Sequence, residues 1–216
     1  MTPQRFEKIK KVLAKRQPDI TIVLDKVHKP HNLAAIIRSC DAVGVGDIIG
    51  ISSNKKKINI NLKSASGSNN WIKFQIHESI KTLPKILKEK NMKIFIANNS
   101  DKSTDFRNVN FTEPCAIILG SELSGVSDEA TSFSNQEIMI PMYGMVESLN
   151  VSVASAIILY EIQRQRKEAG LYNHLRLTNN EYKQLLFEFS YPEVAKIYKN
   201  KGKKYPPLDS DGHIIT

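Results

Sequence analysis

At 216 residues, with 41% hydrophobic and 25% charged, the chain can bury one sizeable core with extensions, which excludes a disordered segment or a small disulfide-stapled scaffold. A formal net charge of +9 points to a polyanionic partner, nucleic acid first, although a lysine-rich coding bias produces the same excess. No apolar run approaches the roughly 18 residues of a membrane span and the charged N-terminus has no apolar signal core, so a cytoplasmic protein is expected, with no membrane partner.

Residues 1–17 have the spacing of an amphipathic basic helix, with Phe6, Ile9, Val12 and Leu13 as its apolar stripe and Pro18 as its expected stop. Lys8, Lys10, Lys11, Lys15 and Arg16 surround the stripe, either as an arm that grips phosphates or as an ordinary solvated face. Residues 20–25 (ITIVLD) read as a buried strand. After the loop KVHKPH, Asn32 is expected to cap a helix over 33–43, which Gly44 ends before a strand at 47–51. The glycines of GVGDIIG follow a helix and precede a strand, the reverse of a dinucleotide-binding turn. His28 and His31 have no evident third ligand, so no metal is expected. The polar stretch 52–70 reads as a loop, 71–76 as a strand, 78–91 as an amphipathic helix with Pro84 near its start, and 93–97 as a strand. Cys40 and Cys115 lie in apolar runs without CxxC spacing and read as buried free thiols.

The strand at 115–119 runs straight into Gly120-Ser121-Glu122-Leu123-Ser124-Gly125. The glycine interval is that of a phosphate loop, but Val126 and Ser127 stand where Lys and Ser/Thr are required, so nucleoside triphosphate chemistry is rejected. A neutral or cationic nucleotide could still be bound through the backbone. A strand at 138–140 then stops at Pro141, Gly144 offers a bend, and Ser148 is expected to cap a long helix rich in small residues that ends at Gly170. Two short helices at 179–189 and 191–199 precede the basic stretch KNKGKKYPP. Strands alternate with helices from 20 to 168, which predicts an α/β fold with a mostly parallel sheet covered by helices on both faces. The expected organisation is an N-terminal helical extension (1–19), a core (20–168) and a C-terminal helical extension with a tail (169–216).

Three segments in this order, NLAAIIR at 32–38, LGSELSG at 119–125 and IPMYGMVESLNVSVASAIILYE at 140–161, resemble the motifs of the SpoU/TrmH branch of the SPOUT class, the RNA 2′-O-ribose methyltransferases. The stretches RFEKIKKVLAKRQPD, VHKPHN and KGKKYP are similar to those of members that methylate guanosine 18 in the tRNA D-loop. The resemblance implies a deep trefoil knot, against the general rule that chains do not thread. It also implies a homodimer with active sites shared between subunits, tRNA as partner and S-adenosyl-L-methionine as cofactor. Ribosomal RNA, another tRNA ribose, or RNA binding without turnover are the alternatives. On the matching positions, Arg38 is the catalytic arginine, with Asn32, Glu122, Ser148 and Asn150 around it. Ala97, Gly120, Ile140, Met142 and Leu149 are expected to meet the cofactor mainly through backbone, and Ala97 stands where relatives often carry a hydroxyl. Arg5, Lys8, Lys11, Lys15, Arg16 and His31 are expected to face RNA.

Overall fold

The computed structural model describes residues 1–52, 68–122 and 124–215. It divides into two compact units, Pro18–Leu171 and a second built from Met1–Gln17 with Tyr172–Thr216.

Alternation of apolar residues organises the larger unit. In β1 (Gln17–Asp25), Ile20, Ile22 and Leu24 point into one apolar cluster and Val23 into another. The same division runs through β4 (Lys93–Ala97), where Phe95 opposes Ile94 and Ile96, and through β6 (Cys115–Gly120), where Ile117 and Leu119 oppose Ala116 and Ile118. Strands buried on both faces need cover on both. On one side lie α2 (Pro30–Ala42) and α5 (Val151–Glu168), packed against each other; on the other lie α3 (Leu83–Glu89) and α4 (Asp128–Phe133). With β2 (Val45–Ile51), β3 (Lys73–His77), β5 (Thr104–Asp105) and β7 (Gln136–Met139), the seven-stranded sheet has the order β3-β2-β1-β6-β4-β7-β5. Its β2–β3, β1–β6, β4–β6, β4–β7 and β5–β7 pairs are parallel. Register sets Gly120 beside Asp25, and Ala97 between Leu119 and Ile138, so four strands, β1, β6, β4 and β7, end together at one carboxyl edge.

Both cysteines are buried and free. Burial pushes the Cys115 thiol up to about 12, so it packs as a small apolar group rather than reacting. Among the described residues, no helix is long and apolar enough to cross a membrane.

Several boundaries differ from the sequence expectation, each for a local reason. Helix α1 spans Pro3–Leu13 and stops before Pro18, which lies inside β1. Helix α2 begins at Pro30, whose fixed φ suits the first helical position, so Asn32 sits in the first turn rather than at the cap. The segment 78–91 divides into a 3₁₀ turn at Ile80–Thr82 and the shorter α3. The cap of α5 is Asn150, whose side chain accepts from Ser152 N–H, and not Ser148. Gly144 has no positive φ, and a Cβ there would meet nothing within 4 Å, so the turn does not require glycine. The polar stretch 52–70 lies outside the described residues over 53–67.

In the smaller unit, α1 packs on α6 (Asn179–Ser190), which is followed by α7 (Pro192–Asn200). Thr178 and Glu181 form a reciprocal capping box at the start of α6. Phe187 stacks on Tyr205 at 4.7 Å between centroids and meets Tyr191 and Tyr198 at wider angles. Arg16 corrects one of the expected RNA contacts: it is 3% exposed, with its guanidinium 5.8 Å from the centre of the Phe189 ring. A cation spent on packing in this way is not presented to a phosphate.

Candidate active site

The carboxyl ends of neighbouring parallel strands are where open α/β sheets bind ligands. Here the end of β6 turns back at once. Ser121 N–H donates to Gly125 C=O (3.1 Å) and Gly125 N–H donates to Ser121 C=O (2.9 Å). Gly125 takes φ +62°, and a Cβ on Gly120 would lie 2.0 Å from the Gly125 carbonyl carbon. Leu123, within this loop, lies outside the described residues. The loop exit is held by the buried Asp25, whose Oδ2 accepts from Ser127 N–H at 2.8 Å. Gly120→Ala is therefore expected to open the turn, costing about 1–3 kcal/mol of stability and most ligand affinity in the adjoining cavity. Thermal unfolding with ligand calorimetry checks this; wild-type behaviour in both would show that the close approach is dispensable.

The turn presents Glu122 to two other elements. Glu122 Oε1 accepts from Asn32 Nδ2 (3.0 Å) and from Asn150 Nδ2 (2.6 Å), and the Lys29 ammonium pairs with Oε2. Asn150 Nδ2 also lies 3.2 Å from Asn32 Oδ1, while Asn150 Oδ1 accepts from Ser152 N–H and the Ser152 hydroxyl. Each end of the Asn150 amide is thus committed, one to capping α5 and the other to the site. Asn32, 2% exposed, is fixed in the same way. The hydrogen bond from Lys29, followed by that from Asn32, holds the Glu122 carboxyl below the usual carboxylate range. It is ionised at neutral pH and serves as an acceptor that orients two amides.

Beside this network is a cavity of about 490 Å³, within the range of small-molecule sites. Ala97, Gly120, Ile140, Met142 and Leu149 border it, as do Glu122, Ser148 and Asn150. Leu119, Ile138 and Ile158 add apolar wall, which suits a flat aromatic base. One side is braced from below. Glu137 accepts from Asn98 Nδ2 (2.9 Å) and Ser100 Oγ (2.7 Å), Ser103 Oγ donates to Asn98 C=O (2.8 Å), and Asn99 Nδ2 reaches Glu147 C=O at 3.4 Å.

Other candidates stand apart. Arg38 is exposed further along α2 and does not border the cavity of its own chain; His31 is exposed in the first turn of the same helix. Arg5, Lys8 and Lys11 are exposed on α1, and Lys15 donates to Tyr172 C=O at 3.4 Å. Lys29, Glu137 and Glu147 are the site residues that sequence reasoning missed. Lys29 lies within the quoted stretch VHKPHN and could have been found there; Glu137 carries no signal in a strand.

Residues 19–160 match the SpoU rRNA Methylase family and residues 164–216 the C-terminal SpoU rRNA methylase family. The chain is 44% identical over 216 residues to the tRNA (guanosine(18)-2′-O)-methyltransferase of Escherichia coli K12, covering 99% of this chain and 94% of that relative. The crystal structure of the Aquifex aeolicus TrmH/SpoU tRNA modifying enzyme superposes with a TM-score of 0.83 at 39% identity, covering 88% of this chain and 97% of that one. The SpoU methyltransferase AviRb from Streptomyces viridochromogenes, in complex with the cofactor AdoMet, shares the fold with a TM-score of 0.62 at 24% identity, covering 70% of this chain and 62% of that one.

Proposed function

The chain belongs to the SpoU methylase family, and on that premise we propose that it methylates the ribose 2′-oxygen of guanosine 18 in tRNA, with S-adenosylmethionine as donor. The observation that carries this reading is the Asn32–Glu122–Asn150 network at the rim of an apolar cavity, where β6, β4 and β7 end. The family descriptions name rRNA and reach the C-terminal flank, but the tRNA-modifying relative matches the N-terminal helix as well, which favours tRNA.

The cavity has the size and the apolar walls for an adenosine, and Gly120, Ile140 and Leu149 border it. S-adenosylmethionine, when bound, supplies a methyl group made electrophilic by its sulfonium. The chain must then hold a ribose hydroxyl in line and support loss of its proton. The role of the Arg38 guanidinium is to hold an adjoining phosphate and the negative charge that develops on the oxygen. Glu122, kept ionised by Lys29, locks Asn32 and Asn150 in place; Ser148, which borders the cavity, is assigned to ribose or ligand.

The acting unit is a homodimer whose sites take residues from both copies. Arg38 is absent from its own chain's cavity. Tyr143 (97% exposed) and Met145 (100%), with Val146, Val153 and Tyr160, leave an apolar surface around the turn before α5 and along that helix that a second copy would cover. The core carries the family's deep trefoil knot. The extensions 1–19 and 169–216 serve RNA binding, with exposed Arg5, Lys8, Lys11 and His31 as contacts, and the enzyme works where tRNA is, in the cytoplasm.

Incubating the protein with labelled S-adenosylmethionine and unmodified tRNA, then mapping the product, is the test. Methyl on the ribose of guanosine 18, lost when that guanosine is replaced, is expected. Methyl on a base, or none on tRNA, overturns the proposal.

A further inference from the structure

The charges around the cavity are one-sided. Among the described residues that border it, the ionisable side chains are Glu122 and Glu147; no lysine, arginine or histidine is present. Glu122 is offset by the Lys29 ammonium. Glu147 is not offset. Its main-chain carbonyl accepts from Asn99 Nδ2 at 3.4 Å, which ties its backbone to the loop after β4, while its carboxylate has no hydrogen bond or ion pair with another described residue. Within one chain, the exposed Glu147 therefore brings to the rim of an apolar-walled cavity a negative charge that no described cation of that chain offsets, and there a cation is favoured over a neutral molecule of the same shape.

The methyl donor and its demethylated product differ in that respect. They share the adenosine and the amino-acid tail, so interactions with those parts cancel in a comparison. Only the donor is a sulfonium cation; the product is a neutral thioether. We propose that Glu147 is a specificity-determining residue that makes the cavity prefer the cationic methyl donor over the neutral product, so that loss of charge on transfer weakens the product's hold and hastens its exchange. The inference rests on the cofactor reading above and deepens it.

The test is calorimetric titration of the full-length protein with three ligands: S-adenosylmethionine, S-adenosylhomocysteine, and the amine analogue in which an ammonium replaces the methylsulfonium. Glu147→Gln keeps the backbone carbonyl that Asn99 holds. It is expected to weaken both cationic ligands by about fivefold to tenfold, as for one partly screened charge, and to leave the neutral one unchanged. Glu147→Asp should retain most of the preference and Glu147→Lys should invert it. Equal weakening of all three ligands would make Glu147 a structural residue, and no change in the ratio would remove it from specificity; either overturns the proposal while leaving the cofactor reading intact. Failure of all three ligands to bind the wild-type protein would sink the cofactor reading and this inference with it.

Discussion

Arg38→Ala is expected to lower methyl transfer by about a thousandfold, the scale seen when a preorganised charge is removed from a developing oxyanion, while cofactor affinity and dimer formation persist. The separation follows from where Arg38 lies. It is exposed on α2, away from its own chain's cavity, and its removal disturbs neither the Asn32–Glu122–Asn150 network nor the apolar walls. Arg38→Lys should recover only part of the rate, because a lysine keeps the charge but not the planar fork that matches a phosphate. Single-turnover transfer to tRNA, ligand titration and sedimentation measure the three quantities separately. Mixing Arg38→Ala with Asn150→Ala then asks which copy each residue serves. If Arg38 acts on the partner's cavity, the mixed dimer holds one site with both residues intact, and activity returns; if it acts on its own, no intact site exists and activity stays low. Near-wild-type turnover by Arg38→Ala alone would remove the arginine from catalysis.

Much of the fold was legible because burial on two faces writes itself into a strand. The apolar runs at 20–25, 93–97 and 115–119 are strands β1, β4 and β6, buried on both faces, and the cavity lies where two of them end. Short elements were not legible: β5 has two residues and α4 six, too few to display a period. The helix starts were misplaced when two residues close in sequence could do the same job. Ser148 and Asn150 both carry a side-chain acceptor, and only the fold shows that Asn150 meets Ser152 N–H. Pro30 outweighed Asn32 as the start of α2, which frees the asparagine for the site. Residues of one motif were easier to place than contacts between motifs. Nothing local marks Glu137 as the brace of the 98–103 loop, nor Arg16 as the partner of an aromatic ring far along the chain, since both depend on tertiary proximity.

The largest loss of stability is expected from Arg166, which the sequence displays as one more charge in the helical run EIQRQRKE. Two residues along a helix turn the side chain through roughly 200°, so Arg164 and Arg166 face opposite ways. Arg164 is solvated and pairs with Glu161 and Glu168 on the helix surface, where water screens the attraction. Arg166 is 0% exposed. Its Nη1 and Nη2 meet the Asp19 carboxylate at 2.7 and 3.1 Å, Nε donates to Phe111 C=O at 2.8 Å, and Nη2 donates to Glu113 C=O at 3.0 Å. One guanidinium thus ties α5 to the start of β1 and to the chain entering β6. Arg166→Met fills much of the same volume but removes the guanidinium from the Asp19 carboxylate and its donors from two carbonyls. A loss of about 3–5 kcal/mol is expected, as for other buried pairs broken from one side. Asp19→Leu should cost a similar amount, because it takes the carboxylate away from the buried guanidinium. Joining Arg166→Met with Asp19→Leu should recover part of the loss, since both charges of the pair are then removed together. Denaturant unfolding of the four proteins gives the coupling directly. A loss below about 1 kcal/mol for Arg166→Met, in the range of an exposed pair, would show that the guanidinium is not what holds these three segments together.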